Sequence, residues 1–204
     1  MTPTLAWMRH GACVDGVRRP DAHARPESPL SPRGRRQAAR AAQELVDSGF
    51  TAGVVASSTL IRARSTAQIV ADITGLTLLS PNPLFDEWRA PTCVLGRAPA
   101  QYPDAYLSWR LLRSTRPETA LPGGESLVDF SRRAGDALTQ ALLLAEQASF
   151  AVVVSHRLLI GAVAALHNGG TDPAKTFEHA RNYTLPPAVI AANQLERLNR
   201  PHAE

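Results

Sequence analysis

The run FAVVVS, Phe150 to Ser155, constrains the chain more than any other stretch. Its apolar residues are consecutive rather than alternating, so a strand built from it is buried on both faces. Such a strand belongs in the interior of a parallel sheet covered by helices, and the flanking sequence supplies them. Upstream, Leu127, Phe130, Ala134, Leu138 and Leu142 fall on one stripe of a helix over about 127–145. Downstream, a helix over about 158–166 stops at Gly169.

The rest of the chain alternates in the same way. Thr4 to Met8 reads as a short buried strand, followed by a Pro- and Arg-rich loop over 16–29. Ser31-Pro32 is a helix start, with Ser as N-cap and Pro at the first helical position. That helix runs through RRQAARAAQELV toward Gly49. AGVVAS is a second strand, residues 60–73 a helix with Ile61, Ile69, Val70 and Ile73 on one side, and LTLLS a third strand. Residues 81–122 are irregular and proline-rich, with one helix expected over 105–112; AVIAANQLERL near the end reads as a final strand. The expectation is a single α/β domain over 1–204. It is a three-layer sandwich with a mainly parallel central sheet and helices on both faces. The segment 81–122, which carries Trp88, Tyr102, Tyr106 and Trp109, is inserted over the C-terminal strand ends as a substrate lid.

Composition narrows the classes of function. At 204 residues, 44% hydrophobic and 20% charged, the chain reads as an ordinary soluble domain. No apolar run approaches the roughly 20 residues needed to span a bilayer. The N-terminus lacks the order of a signal peptide, so no membrane is expected and the cytoplasm is the default location. Cys13 and Cys93 make neither a disulfide framework nor a zinc ligand set. The net charge is +4, and Lys175 is the single lysine. The arginines are scattered and not interleaved with aromatics, which speaks against nucleic acid. Small anionic substrates suit them better, because a guanidinium grips phosphate or carboxylate oxygens in pairs. Oligomeric state stays open, a homodimer among the options.

Polar clusters fall where strands end. Arg9 and His10 follow the first strand, Ser57 and Arg62 the second, Asp86 and Glu87 the third, Ser155 and His156 the FAVVV run. In open α/β sheets ligands bind outside the carboxyl ends of the strands, so residues remote in sequence converge on one edge.

These blocks carry a resemblance. Arg9-His10-Gly11, LSPRGRRQA (30–38), SSTLIRARSTA (57–67), FDE (85–87), GGES (123–126) and VVVSH (152–156) occur in the order and spacing of the histidine phosphatase superfamily, the phosphoglycerate-mutase-like proteins. The similarity spans about residues 4–182. It implies that His10 accepts a phosphoryl group as phosphohistidine while Arg9, Arg62 and His156 hold its oxygens. A carboxylic acid protonates the leaving group; Glu87 is the choice and Asp86 the rival. Gly11, Ser57, Arg89 and Arg157 are the expected substrate contacts. No metal and no cofactor are implied, since arginine and histidine carry the charge. The implied activity is a phosphomonoesterase acting on a small organic phosphate. Phosphoglycerate-mutase-type transfer within one substrate, and a non-catalytic member binding an anion or a partner, are the alternatives. The chain departs from the pattern at Ala12, Gly16, Arg157 and RAPTCVLGRAP (89–99), all in regions that touch substrate, so the departures bear on the substrate rather than on phosphoryl chemistry.

Overall fold

A computed structural model describes residues 3–19 and 22–188. Its centre is a four-stranded, wholly parallel sheet: β1 (Thr4–Arg9), β2 (Val54–Ser57), β3 (Thr77–Leu78) and β4 (Phe150–Ser155), in the order β1-β4-β2-β3. Every residue of β4 is buried, as its unbroken apolar run requires. The helices are α1 (Val14–Arg18), α2 (Pro32–Asp47), α3 (Ile61–Thr74), α4 (Asp104–Leu112), α5 (Leu127–Ala148), α6 (Arg157–His167) and α7 (Pro173–Asn182).

Side-chain alternation along the strands divides the core in two. Ala6, Met8, Val55, Val152 and Val154 face α2 and α3 and meet Ala41, Leu45, Ala63 and Val70. Leu5, Trp7, Ala56, Ala151 and Val153 face the other way, toward Phe130 and Ala134 of α5, Leu159 and Val163 of α6, and Phe177 of α7. Each fully buried aliphatic contributes about 1.5–3 kcal/mol. Phe85, Trp88, Tyr106 and Trp109 of the 81–122 segment pack into this second half. The three-layer α/β sandwich anticipated from the sequence is the observed architecture.

The sheet has a switch point between β1 and β4. The chain leaves β1 for α2 on one face, and leaves β4 for α6 on the other. Adjacent strands whose helices diverge open a crevice at their carboxyl ends. Here those ends are in register, Arg9 opposite Ser155, and the His10 N–H donates to the Ser155 carbonyl at 2.9 Å.

Several expectations change. The loop over 16–29 begins within a short helix, α1, whose N-cap Cys13 is bridged to Leu30. LTLLS shrinks to the two-residue β3, an edge strand with both side chains exposed, where burial cannot extend it. The stretch before the tail forms α7, started by Asp172-Pro173 as Ser31-Pro32 starts α2; Asp172 accepts from the Lys175 N–H as Ser31 does from Gly34. The final strand read in AVIAANQLERL lies, except for Ala188, outside the described residues. Among the described residues no helix is long and apolar enough to cross a membrane.

Candidate active site

The crevice brings His10 and His156 together, with ring centroids 4.9 Å apart. Each follows its strand directly, so register alone places both. His10 is 7% exposed and His156 fully buried. Arg62, in the first turn of α3, lies 4% exposed, and its Nε donates to His10 Nε2 at 3.3 Å. Its Nη1 donates to the Arg25 carbonyl, which the Arg25–Asp15 ion pair holds in place. Arg9 anchors through Nη1 to the Leu185 carbonyl at 2.8 Å, while its buried Nε has no partner among the described residues.

Hydrogen bonding fixes the tautomers. His10 Nδ1 sits 2.7 Å from the Gly11 carbonyl, which can only accept, so Nδ1 carries the proton and the lone pair lies on Nε2. The Ser58 hydroxyl donates to Asp86 Oδ1 at 2.7 Å, so its oxygen accepts from His156 Nε2 at 2.8 Å. His156 Nδ1 is left buried and unpartnered among the described residues. Burial, then the Arg62 charge and, more weakly, Arg9, hold His10 well below the ordinary histidine range, the Gly11 bond opposing them. Burial and the same cations do so for His156, with His10 adding to them. Burial lowers both arginines, with Glu87 opposing the shift in each. The crevice thus holds two neutral imidazoles between two guanidinium groups.

The acidic pair divides. Asp86 is saturated: it accepts from the Ser58 hydroxyl and from the N–H and hydroxyl of Thr59, at 2.7 to 2.9 Å. Glu87 reaches the crevice. Its carboxylate accepts from Trp88 N–H at 3.0 Å and from Leu158 and Leu159 N–H at 3.3 and 3.2 Å, at the N-terminus of α6. Those α6 donors are among the orphans every helix start exposes. The loop carrying both acids is clamped by Arg133, which donates to the carbonyls of Leu84, Asp86 and Glu87 and pairs with Glu125 at 2.7 Å.

Three expected substrate contacts are not assembled as read. Ser57 faces the α3 side, in a separate groove of about 510 Å³ with Arg35, Ile61, Arg64 and Leu78; strand alternation gives Ser58 the place beside His156. Arg89 is exposed and serves through its backbone, exchanging hydrogen bonds with Glu125. Gly11 is needed for a close approach, but to protein: a Cβ there would lie 2.3 Å from the Gly34 carbonyl oxygen. Arg157 stands at the rim, its Nη1 donating to the Arg181 carbonyl at 2.6 Å and its charge felt at Arg9. Sequence reasoning missed Ser58 and Arg133. Ser58 is signalled by the SS dipeptide itself, and Arg133 by an arginine eight residues after Glu125, two turns along α5.

A parallel sheet with paired strand-end histidines and flanking arginines defines an α/β domain with a cationic crevice at the carboxyl ends of its strands. The histidine phosphatase superfamily (branch 1) model matches residues 5–188, and the chain belongs to that superfamily. It is 31% identical over 160 residues to a probable phosphoglycerate mutase GpmB of Yersinia pestis, covering 78% of this chain and 72% of the relative. The mycobacterial glucosyl-3-phosphoglycerate phosphatase, solved with VO3, is 25% identical with a TM-score of 0.71, over 92% of this chain and 89% of that one. The alpha-ribazole phosphatase of Shigella flexneri shares the fold at 21% identity and a TM-score of 0.73, over 91% and 87%. The superfamily and these neighbours are phosphatases and mutases, which supports a hydrolase-type enzyme.

Proposed function

We propose that the chain is a phosphomonoesterase that hydrolyses a small organic phosphate through a phosphohistidine on Nε2 of His10. The observation that carries this reading is the His10 Nδ1 bond to the Gly11 carbonyl, which leaves the Nε2 lone pair directed into the crevice shared with His156, where the Arg62 Nε–H meets it at 3.3 Å. A neutral imidazole is the nucleophilic form, and the site keeps it neutral.

Nε2 attacks phosphorus as the bond to the leaving oxygen breaks. Glu87 supplies the proton that this oxygen takes. Water then attacks the phosphohistidine, Glu87 receives the water's proton, and the P–N bond breaks to free phosphate and His10. Arg9, Arg62 and His156 hold the oxygens of a group carrying nearly two negative charges. At about 4 Å and an effective dielectric near 20, each cation contributes roughly 4 kcal/mol of gross attraction, before desolvation is subtracted. The unpartnered Arg9 Nε is a donor such a group would satisfy, and His156 Nδ1 becomes one when the ring takes up a proton. In this reading the 81–122 segment is the lid over the leaving-group side.

The test is a phosphoester labelled on phosphorus. We expect an acid-labile, alkali-stable phosphoprotein and release of inorganic phosphate, both lost in His10→Ala. Release of phosphate without a trapped intermediate, at undiminished rate in His10→Ala, overturns the assignment. The phosphoglycerate-mutase relative supports a second reading, transfer between hydroxyls of one substrate. Interconversion of 2- and 3-phosphoglycerate faster than hydrolysis would favour it.

A further inference from the structure

The Arg62 guanidinium is held at two points. Its Nε donates to His10 Nε2 at 3.3 Å and its Nη1 to the Arg25 carbonyl at 3.0 Å. A planar group tied at two corners cannot turn freely, so the Arg25 carbonyl sets the face that Arg62 offers to the crevice. That carbonyl belongs to no helix or strand. It opens a turn over Arg25-Pro26-Glu27-Ser28, closed by the Ser28 N–H donating to it at 3.1 Å, with Pro at the second position that such turns favour. A turn on a loop takes its place in the fold from whatever grips it.

Asp15 grips both ends of this turn. Its carboxylate accepts from Arg25 three times: from the N–H at 3.0 Å and Nε at 3.1 Å on Oδ2, and from Nη2 at 2.9 Å on Oδ1. Its own N–H donates to Ser28 Oγ at 3.0 Å. Asp15 is buried while the Arg25 side chain is half exposed, so the carboxylate is the fixed partner and the arginine the one it holds. Glu27 is the other acid near Arg25, but it is exposed and 3.9 Å from Nε. The Arg25 hydrogen bonds hold the Asp15 carboxyl down, at about 2, so the grip stays charged around neutral pH. Asp15 stands in the first turn of α1, five residues after His10. One side chain therefore ties the segment that leaves His10 to the arginine that faces it.

We propose that Asp15 is a positioning residue: through the Arg25–Ser28 turn it fixes the orientation of Arg62, and so the affinity of the crevice for a tetrahedral oxyanion. It acts without touching the anion. The 22–28 stretch that carries the turn also meets the 81–122 segment, where the Gly96 N–H donates to the His23 carbonyl at 2.8 Å and His23 bridges Leu95. Asp15 anchors this shared stretch to the segment that carries His10. Its effect on binding stands on this geometry; its bearing on turnover rests on the phosphatase reading.

A double-variant cycle on Asp15→Asn and Arg62→Met tests this, read by calorimetry with orthovanadate and by kcat/KM for phenyl phosphate. Asp15→Asn keeps the size of the side chain but leaves one acceptor oxygen where the carboxylate has two. We expect it to weaken vanadate binding and to lower kcat/KM by at least about tenfold each, within the range of a 1 Å misplacement. In the Arg62→Met background the same change should move neither by more than about twofold, because the residue it acts through is gone. A merely structural role lowers the thermal midpoint and carries its loss into that background undiminished. Arg25→Met cuts the same grip from its half-exposed side and should show the same dependence on Arg62, with Arg25→Lys recovering part of the loss. Losses that persist in the Arg62→Met background, vanadate binding unchanged in both Asp15→Asn and Arg25→Met, or no binding of vanadate by the wild-type protein overturn the role. Coupled vanadate binding with no turnover of phosphoesters by the wild-type protein supports the role and overturns the phosphatase reading instead.

Discussion

Gly34→Ala is the sharpest test of how the fold places His10, the proposed nucleophile. The N-terminus of α2 lies backbone to backbone against the loop after β1. Ser31 donates to the Ala12 carbonyl from both its N–H and its hydroxyl, at 2.9 Å each, and caps the Gly34 N–H at 3.1 Å. A Cβ on Gly34 would stand 2.1 Å from the Ala12 oxygen, 2.8 Å from its nitrogen and 2.9 Å from its carbonyl carbon. Unstrained contacts need about 3.5 Å, so the two backbones must part by more than 1 Å. Neither side is a flexible side-chain tip that could yield. Ala12 is two residues from His10, whose Nε2 is aimed through the same segment by the Gly11 carbonyl. A misplacement of about 1 Å costs on the order of 100-fold in rate, and overpacking costs about 1–3 kcal/mol of stability. The assay is kcat/KM for phenyl phosphate beside thermal unfolding. Gly135→Ala is the control: nothing lies within 4 Å of its Cβ inside α5, so it should gain about 0.5–1 kcal/mol and keep its activity. Gly34→Ala with kcat/KM within threefold of wild type and an unchanged midpoint would refute the argument that this contact sets His10.

Three further outcomes follow from contacts around the site. Ser58→Ala removes the acceptor of His156 Nε2; it should cost about 1–3 kcal/mol of stability and raise KM more than it lowers kcat, and a fall in kcat alone would contradict the proposed oxygen-holding role of His156. Arg133→Met leaves the Glu125 side chain, 7% exposed, without its charge partner and should cost about 3–5 kcal/mol, measured by urea unfolding, with Arg133→Met/Glu125→Met recovering part of it; no recovery in the double variant would show that the backbone clamp, not the charge pair, carries the energy. Finally, His10, His23 and His156 are held neutral in the fold while the unfolded chain protonates them near pH 6.5. Their contribution is complete above that pH and is lost as pH falls below it, by up to about 1.4 kcal/mol per pH unit for each. The thermal midpoint should therefore drop between pH 7 and pH 5, less steeply in His23→Gln, and a flat profile would count against buried neutral rings.

Much of the site was legible because strand-end residues need no knowledge of side-chain packing. Arg9, His10 and His156 follow buried strands, and a parallel register brings their ends together. Arg62 was legible for the same reason, in the first turn after β2. Ser57 was misassigned because alternation decides its face, and a one-residue difference reverses it. The choice between Asp86 and Glu87 was beyond local pattern: adjacent acids look alike until Ser58 and Thr59 are seen to saturate one of them. Arg89 and Gly11 were expected to touch substrate on the resemblance, whereas one is exposed and the other packs on Gly34. Helix α7 escaped although Asp172-Pro173 repeats the start signal of α2, because a short polar helix has little apolar periodicity to announce it.

The proton inventory of the crevice has a consequence for binding. The Ser58 hydroxyl proton is committed to Asp86, so the Ser58 oxygen must accept, and His156 Nε2 must donate. In the neutral ring Nδ1 is then bare, buried and without a partner among the described residues. A bare nitrogen repels an anion's oxygen; a protonated one donates to it. Burial and the neighbouring cations hold His156 below the ordinary histidine range, and an arriving dianion reverses the balance by outweighing Arg62. Binding of a dianion should therefore draw a proton onto His156. Sulfate is the discriminating probe, because it takes up no proton itself near neutral pH. Calorimetric enthalpies measured at pH 7.5 in two buffers of different ionisation heat should differ by an amount equal to the uptake of roughly one proton. The difference should vanish in His156→Asn. Identical enthalpies in the two buffers with wild-type protein would mean that Nδ1 does not face the anion, and that His156 positions Ser58 rather than the phosphate.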